Sequence, residues 1–91
     1  MAYNLIVAYD LIPPGQSYEA VRQRIKELGL WHQFQYSLFY VSSDLTPEAA
    51  HAYVRAVMDP NDKLLVVDAI GGVVSPPEPG AILAINQVWF Q

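Results

Sequence analysis

Residues Tyr3 to Asp10 read YNLIVAYD, a run of strand-formers that ends on a carboxylate just before Pro13-Pro14-Gly15. Alternation puts Leu5, Val7 and Tyr9 on one side and Asn4, Ile6 and Ala8 on the other, and both sides are largely apolar. That pattern predicts a central strand covered on two faces. Proline cannot donate to a sheet ladder and glycine allows a tight turn, so the strand should stop at the Pro-Pro-Gly.

Beyond the turn, Ser17 is placed to cap a helix with Glu19 in its first turn. Tyr18, Val21, Ile25 and Leu28 recur with a helical period, and Gly29 stands where a C′ glycine is expected. Arg22, Gln23, Lys26 and Glu27 form the solvated side of that helix. Trp31 to Ser43 is rich in aromatic and β-branched residues and too long for one typical strand. It divides into a hairpin at about Tyr36-Ser37, with a single bulged strand as the alternative. Thr46-Pro47-Glu48 supplies an N-cap, a proline and an acid for a second helix. Ala50, Tyr53, Val54, Val57 and Met58 are its expected buried stripe, and Asp59-Pro60 its stop. Lys63 to Ile70 is the last strand, its Leu-Leu-Val-Val centre again reading as covered on both faces.

The order β-α-β-β-α-β predicts an α+β, ferredoxin-like domain over residues 1–70 with an antiparallel sheet. Right-handed crossovers set the first strand between the third and the fourth. A Gly/Pro linker over 71–80 leads to an apolar arm over 81–91, read as a short helix or an irregular segment. Ile82, Ile85 and Trp89 would share one helical side, and together with Phe90 they are the expected oligomer arm, covered by a partner subunit.

Composition bears on partners. The 91 residues are 53% hydrophobic and only 15% charged, an apolar surplus that burial against a second subunit would absorb. The expected partner is therefore the chain itself, as a homodimer or higher oligomer. A net charge of −4 argues against nucleic acid, whose binders neutralise phosphate with basic surface. The absence of cysteine rules out disulfides and thiolate metal sites. No signal peptide or membrane-spanning run is visible, so a cytoplasmic protein is expected.

The topology makes a site. The end of the first strand should lie beside the starts of the third and fourth, gathering Asp10, Tyr36, Ser37 and Lys63 at one edge, with Gln35 nearby and Asp68 at the far end. Asp10 is the candidate catalytic residue and the candidate metal ligand, able to give one oxygen to a hard cation such as Mg²⁺. Its structural alternative is to accept bonds from the following turn or to pair with Lys63. Tyr36, Ser37 and Lys63 are candidate substrate or interface residues. His32 and His51 lack metal-ligand spacing, and no nucleophile elbow, P-loop or dinucleotide fingerprint is present.

YDL, then PGQSYEAV, a helix ending LG, QYSLFYVSSDLT and DPNDKLLVVDA, in that order, resemble the SinR-like proteins. These are similar to the CRISPR-associated protein 2 family, small ferredoxin-like dimers of the adaptation machinery, and to the VapD toxins. The resemblance covers about residues 3 to 70. It implies a nuclease whose metal-binding aspartate would be Asp10, facing its twin across a dimer, with Ser37 and Phe39 matching a Q-x-S-x-F strand. Leu11-Ile12-Pro13-Pro14 departs from the polar, basic stretch that follows the family's aspartate, and Tyr40 stands where many members carry an acid. Low charge, acidic balance and the apolar tail put a non-catalytic, homo-oligomeric interaction module ahead. A Mg²⁺-dependent endonuclease of RNA or DNA using Asp10 is the alternative, and a small-molecule-binding regulator, for which no residue cluster argues, comes third.

Overall fold

The computed structural model describes residues 3–13, 17–71, 73, 75 and 78–89. The elements run β1 (Tyr3–Asp10), α1 (Tyr18–Lys26), β2 (Gly29–Gln35), β3 (Leu38–Ser43), α2 (Pro47–Arg55), β4 (Lys63–Asp68) and α3 (Pro79–Trp89). β1 pairs antiparallel with both β3 and β4, and β2 pairs antiparallel with β3, in the order β2-β3-β1-β4. The fold is α+β, and its doubly apolar first strand lies inside the sheet, as its sequence predicts. The turn residues Pro14 and Gly15, the linker residues Gly72, Pro76 and Pro77, and Phe90 lie outside the described residues.

α1 and α2 cover one side of the sheet, here the inner face. Leu5, Val7 and Tyr9 point to it, joined by Phe39 and Val41 of β3, Val21 and Ile25 of α1, and Ala50 and Val54 of α2. Each fully buried side chain of this kind is worth about 1.5–3 kcal/mol. This cluster is the main source of stability. The α2 start behaves as its sequence predicts: the Thr46 hydroxyl accepts from Ala49 N–H at 3.2 Å, with Pro47 at the first helical position. Ser17 occupies the N-cap of α1 without a side-chain bond into the first turn, its carbonyl accepting from Val21 N–H at 3.1 Å.

Four expectations are revised. Gly29 is not the residue that closes α1. The helix ends at Lys26 with Glu27 as its cap, and Gly29 opens β2 opposite Ser43. Its glycine serves close approach, since a Cβ there would lie 1.9 Å from the Ser42 carbonyl oxygen. Tyr53 is not part of the buried stripe of α2. It leans out towards α1, where the Arg24 guanidinium lies 4.4 Å from its ring centroid and its hydroxyl donates to Glu27 Oε1 at 2.5 Å. That bond, with one from Gln23, holds the Glu27 carboxyl below its ordinary range and raises the Tyr53 phenol above its own.

The third revision concerns β4, which is covered on the inner face only: Leu65 is 57% and Val67 38% exposed on the outer one. The cause is the fourth. The apolar tail forms helix α3, and the cover for Ile85, Val88 and Trp89 is this chain's own sheet. They pack on Phe34 and Tyr40 of β2 and β3, on Ile6 of β1 and on Ala69 just beyond β4, with most of the helix over β2 and β3 on the outer face. Leu65 and Val67 of β4 stay open towards the Asp10–Lys63 end. No helix among the described residues is long and apolar enough to cross a membrane.

Candidate functional site

The end of β1 meets the starts of β3 and β4, as the topology requires. Asp10 stands opposite Lys63 in register, Ala8 opposite Leu38 and Leu65, and Tyr9 N–H donates to the Ser37 carbonyl at 3.1 Å. Asp68 lies opposite Leu5, towards the other end of β1. Direct cross-strand partners share a face, so Asp10 and Lys63 both belong to the outer face, beside Ala8 and Leu65. With Tyr9 and Leu64 these residues line a shallow depression at the sheet edge.

Asp10 is exposed, and no hydrogen bond or ion pair joins its side chain to another described residue. Of the structural roles anticipated for it, accepting from the backbone that follows β1 falls to Asp62 instead. This carboxylate is 5% exposed and accepts from Ile12 N–H at 2.8 Å and Asp59 N–H at 2.9 Å. Arg55 reaches back from α2 to the Asp62 carbonyl at 2.6 Å and the Pro60 carbonyl at 2.9 Å. Asp62 thereby ties the exit of β1 to the entry of β4 and the end of α2. In sequence only the Asp59-Pro60-Asn61-Asp62 turn signal hints at it.

Tyr36 and Ser37 form the hairpin turn and are held mainly by their carbonyls. The Tyr36 carbonyl accepts from the Tyr9 hydroxyl and from Gln33 Nε2, both at 3.0 Å. The Tyr36 ring, 62% exposed, turns towards α1. It lies 5.4 Å from the Tyr18 ring, and the Arg22 guanidinium sits 5.2 Å and 5.9 Å from the two ring centroids. The Tyr36 hydroxyl beside it raises the Arg22 pKa, partial burial opposes this, and Tyr9 adds to the rise. Burial raises the Tyr9 phenol, against the pull of the same guanidinium. Arg22 Nη1 is out of water without a hydrogen-bond partner among the described residues, and the Tyr18 and Tyr36 ring faces add to the hold that the Tyr36 and Tyr9 hydroxyls have on this cation. Lys26 lies likewise 4.6 Å from the Trp31 ring centroid. All three cations of α1 are thus engaged with aromatic rings of this chain.

The outer face gathers what the inner face does not use. Leu65 and Val67 lie open on β4, followed by Ile70 and Val73, and Ile82 (40% exposed) and Leu83 (59%) look out from α3. Trp89 sits beneath that helix, 5.0 Å from the Tyr40 ring in an edge-on pair. The tyrosine at position 40 has a local reason: an acid there would lie beneath α3, against Phe34 and Trp89. Among the described residues no group of three or more His, Asp or Glu side chains is placed to hold a metal ion. No family model, curated protein or solved structure matches the chain.

Proposed function

We propose that this chain is a homo-oligomeric interaction module, non-catalytic in itself, on a ferredoxin-like split βαβ plan. The strand order, with β1 between β3 and β4 and both crossover helices on one face, supports the plan. One observation carries the function: the outer face leaves Leu65, Val67, Leu83 and Ile82 in water on an outer face with little charge. Several large apolar side chains left in water on one side of a small chain support an interaction surface. Sedimentation velocity of the full chain at about 1 to 100 µM tests it. A dimer or larger species is expected, and a monomer across that range overturns the reading.

A second reading, a Mg²⁺-dependent endonuclease acting through Asp10 at a dimer interface, has one observation in its favour. Asp10 is exposed at the strand end and uncommitted to any described neighbour. The donor set of one chain does not fit a divalent cation, because Asp10 is a single carboxylate and its cross-strand neighbour is the Lys63 ammonium. On this reading RNA or DNA is cleaved in Mg²⁺ or Mn²⁺, and Asp10→Asn removes the activity while leaving the circular dichroism spectrum unchanged. Cleavage that survives in Asp10→Asn, or no cleavage by the native chain, sinks it.

A further inference from the structure

The geometry points to the outer edge of β4 as the place where two copies of this chain join, β4 pairing antiparallel with β4 of a second copy about a twofold axis at Val66. This rests on the homo-oligomeric reading and specifies its interface.

The backbone identifies what this edge takes. Ala69 N–H donates to the Asn4 carbonyl at 2.7 Å, and the same register runs unbroken from Leu5 opposite Asp68 to Asp10 opposite Lys63. Hydrogen-bonded pairs alternate along an antiparallel ladder, so Val67, Leu65 and Lys63 also turn their N–H and C=O towards β1. Tyr9 N–H, donating to the Ser37 carbonyl on the β3 side, fixes the same phase from the other side of β1. Leu64, Val66 and Asp68 therefore turn theirs away from β1. β4 is the last strand of the sheet, and no hydrogen bond joins these outward groups to another described residue. Such a row of donors and acceptors is completed by another strand.

Sheets ordinarily blunt an edge of this kind. At the opposite edge β2 carries a register shift between Gln33 and Gln35, an irregularity that discourages pairing. β4, KLLVVD, has no shift, proline or glycine, and a lysine only at its first position. Leu65 and Val67 lie exposed along it.

The sequence of the strand selects a second copy. Two strands paired about a twofold axis normal to the sheet keep their faces, so each residue lies opposite one of its own parity. With the axis at Val66, that residue meets its twin as a hydrogen-bonded pair, and Leu64 meets Asp68 of the second copy. Leu65 then stands opposite the second copy's Val67, and Val67 opposite its Leu65. These are non-hydrogen-bonded pairs, whose side chains come closest, so the exposed apolar residues of β4 cover one another. Moving the axis to Leu65 sets Lys63 against Val67, and moving it to Val67 sets Leu65 against Ala69 only. The pairing also closes both free edges together. The combined sheet is bounded at each end by an irregular β2, whereas a strand from another chain would present a fresh edge of its own.

The native chain has no cysteine, so single thiols report unambiguously. Leu65→Cys and Val67→Cys chains are mixed and mildly oxidised, beside sedimentation velocity of the native chain. In the proposed register the unlike positions are about 4.5 Å apart between Cα atoms, within reach of a disulfide. Like positions are diagonal neighbours about 7–8 Å apart, beyond it. A mixed disulfide dimer in several-fold excess over either symmetric one is expected. Val66→Pro removes an outward N–H that β1 does not use, and Val67→Lys places a charge on the edge. Each raises the dimer Kd by about tenfold or more with unchanged circular dichroism. Val67→Lys decides alone should the proline variant lose its native spectrum. A native dimer in which symmetric cross-links prevail, or whose Kd Val67→Lys leaves unmoved, overturns this pairing and leaves the oligomeric reading standing. A native monomer overturns both.

Discussion

Asp62→Ala lowers the unfolding free energy by about 3 kcal/mol, read as a shift in urea midpoint at constant m-value. The substitution removes a buried acceptor that serves two backbone donors, Ile12 N–H and Asp59 N–H. Hydrogen bonds to a charged group are worth about 1.5–3 kcal/mol each, and both donors sit in partly buried surroundings where water replaces the carboxylate poorly. In a domain of this size the change corresponds to a fall in Tm of about 12–24 °C. Asp62→Asn should lose about half as much, since its amide keeps one acceptor and turns a second donor towards an N–H. Equal stability of the alanine variant and the native chain would show that the tie between the strand ends carries no load. Asp10→Ala, made for comparison, should change stability by less than about 0.5 kcal/mol, the usual range for an exposed side chain without partners.

Gly29→Ala is expected to cost about 3 kcal/mol, at the upper end of what overpacking produces. The added methyl would meet the Ser42 carbonyl oxygen at 1.9 Å, and that neighbour is backbone, not a side chain that can swing aside. Either the first pair of the β2–β3 ladder opens or α1 shifts on the sheet. Amide exchange distinguishes the two: loss of protection confined to the Gly29–Trp31 side of the hairpin marks an opened ladder. An alanine variant as stable as the native chain would mean the strands meet less closely than described.

The parts of the fold legible in sequence were those whose reasons are local. YNLIVAYD is apolar on both sides, so its central place could be read directly, and Thr46-Pro47-Glu48 announces α2 by capping chemistry alone. What a neighbouring element decides could not be read. Leu65 and Val67 look like the inside of a covered strand, and are exposed because the residues that α3 buries do not include them. Gly29 fits a helix C′ pattern equally well, and only the approach of Ser42 assigns it to the strand. The candidate site divides in the same way. Asp10 and Lys63 meet across β1 and β4, with the Ser37 carbonyl beside the end of β1, because topology requires it, whereas the Tyr36 ring lies against α1 on the other face. Asp62 stayed hidden because nothing in an Asp-Pro-Asn-Asp turn says which carboxylate will be buried. Arg22 reads as a solvated helix cation until the Tyr36 turn is folded against it.

The two tryptophans belong to opposite sides of the sheet. Trp31 stands edge-on to Phe39 of the inner core and is 41% exposed, with Lys26 over its ring. Trp89 is 6% exposed beneath α3, its indole N–H out of water and without a partner among the described residues. An unbonded indole in an apolar seat emits to the blue of a half-hydrated one, so the chain carries two optical reporters with offset emission and different access to water. A soluble quencher would silence Trp31 first and reach Trp89 only when α3 leaves its seat. The intrinsic fluorescence of the native chain therefore separates the lifting of its last helix from the melting of its core.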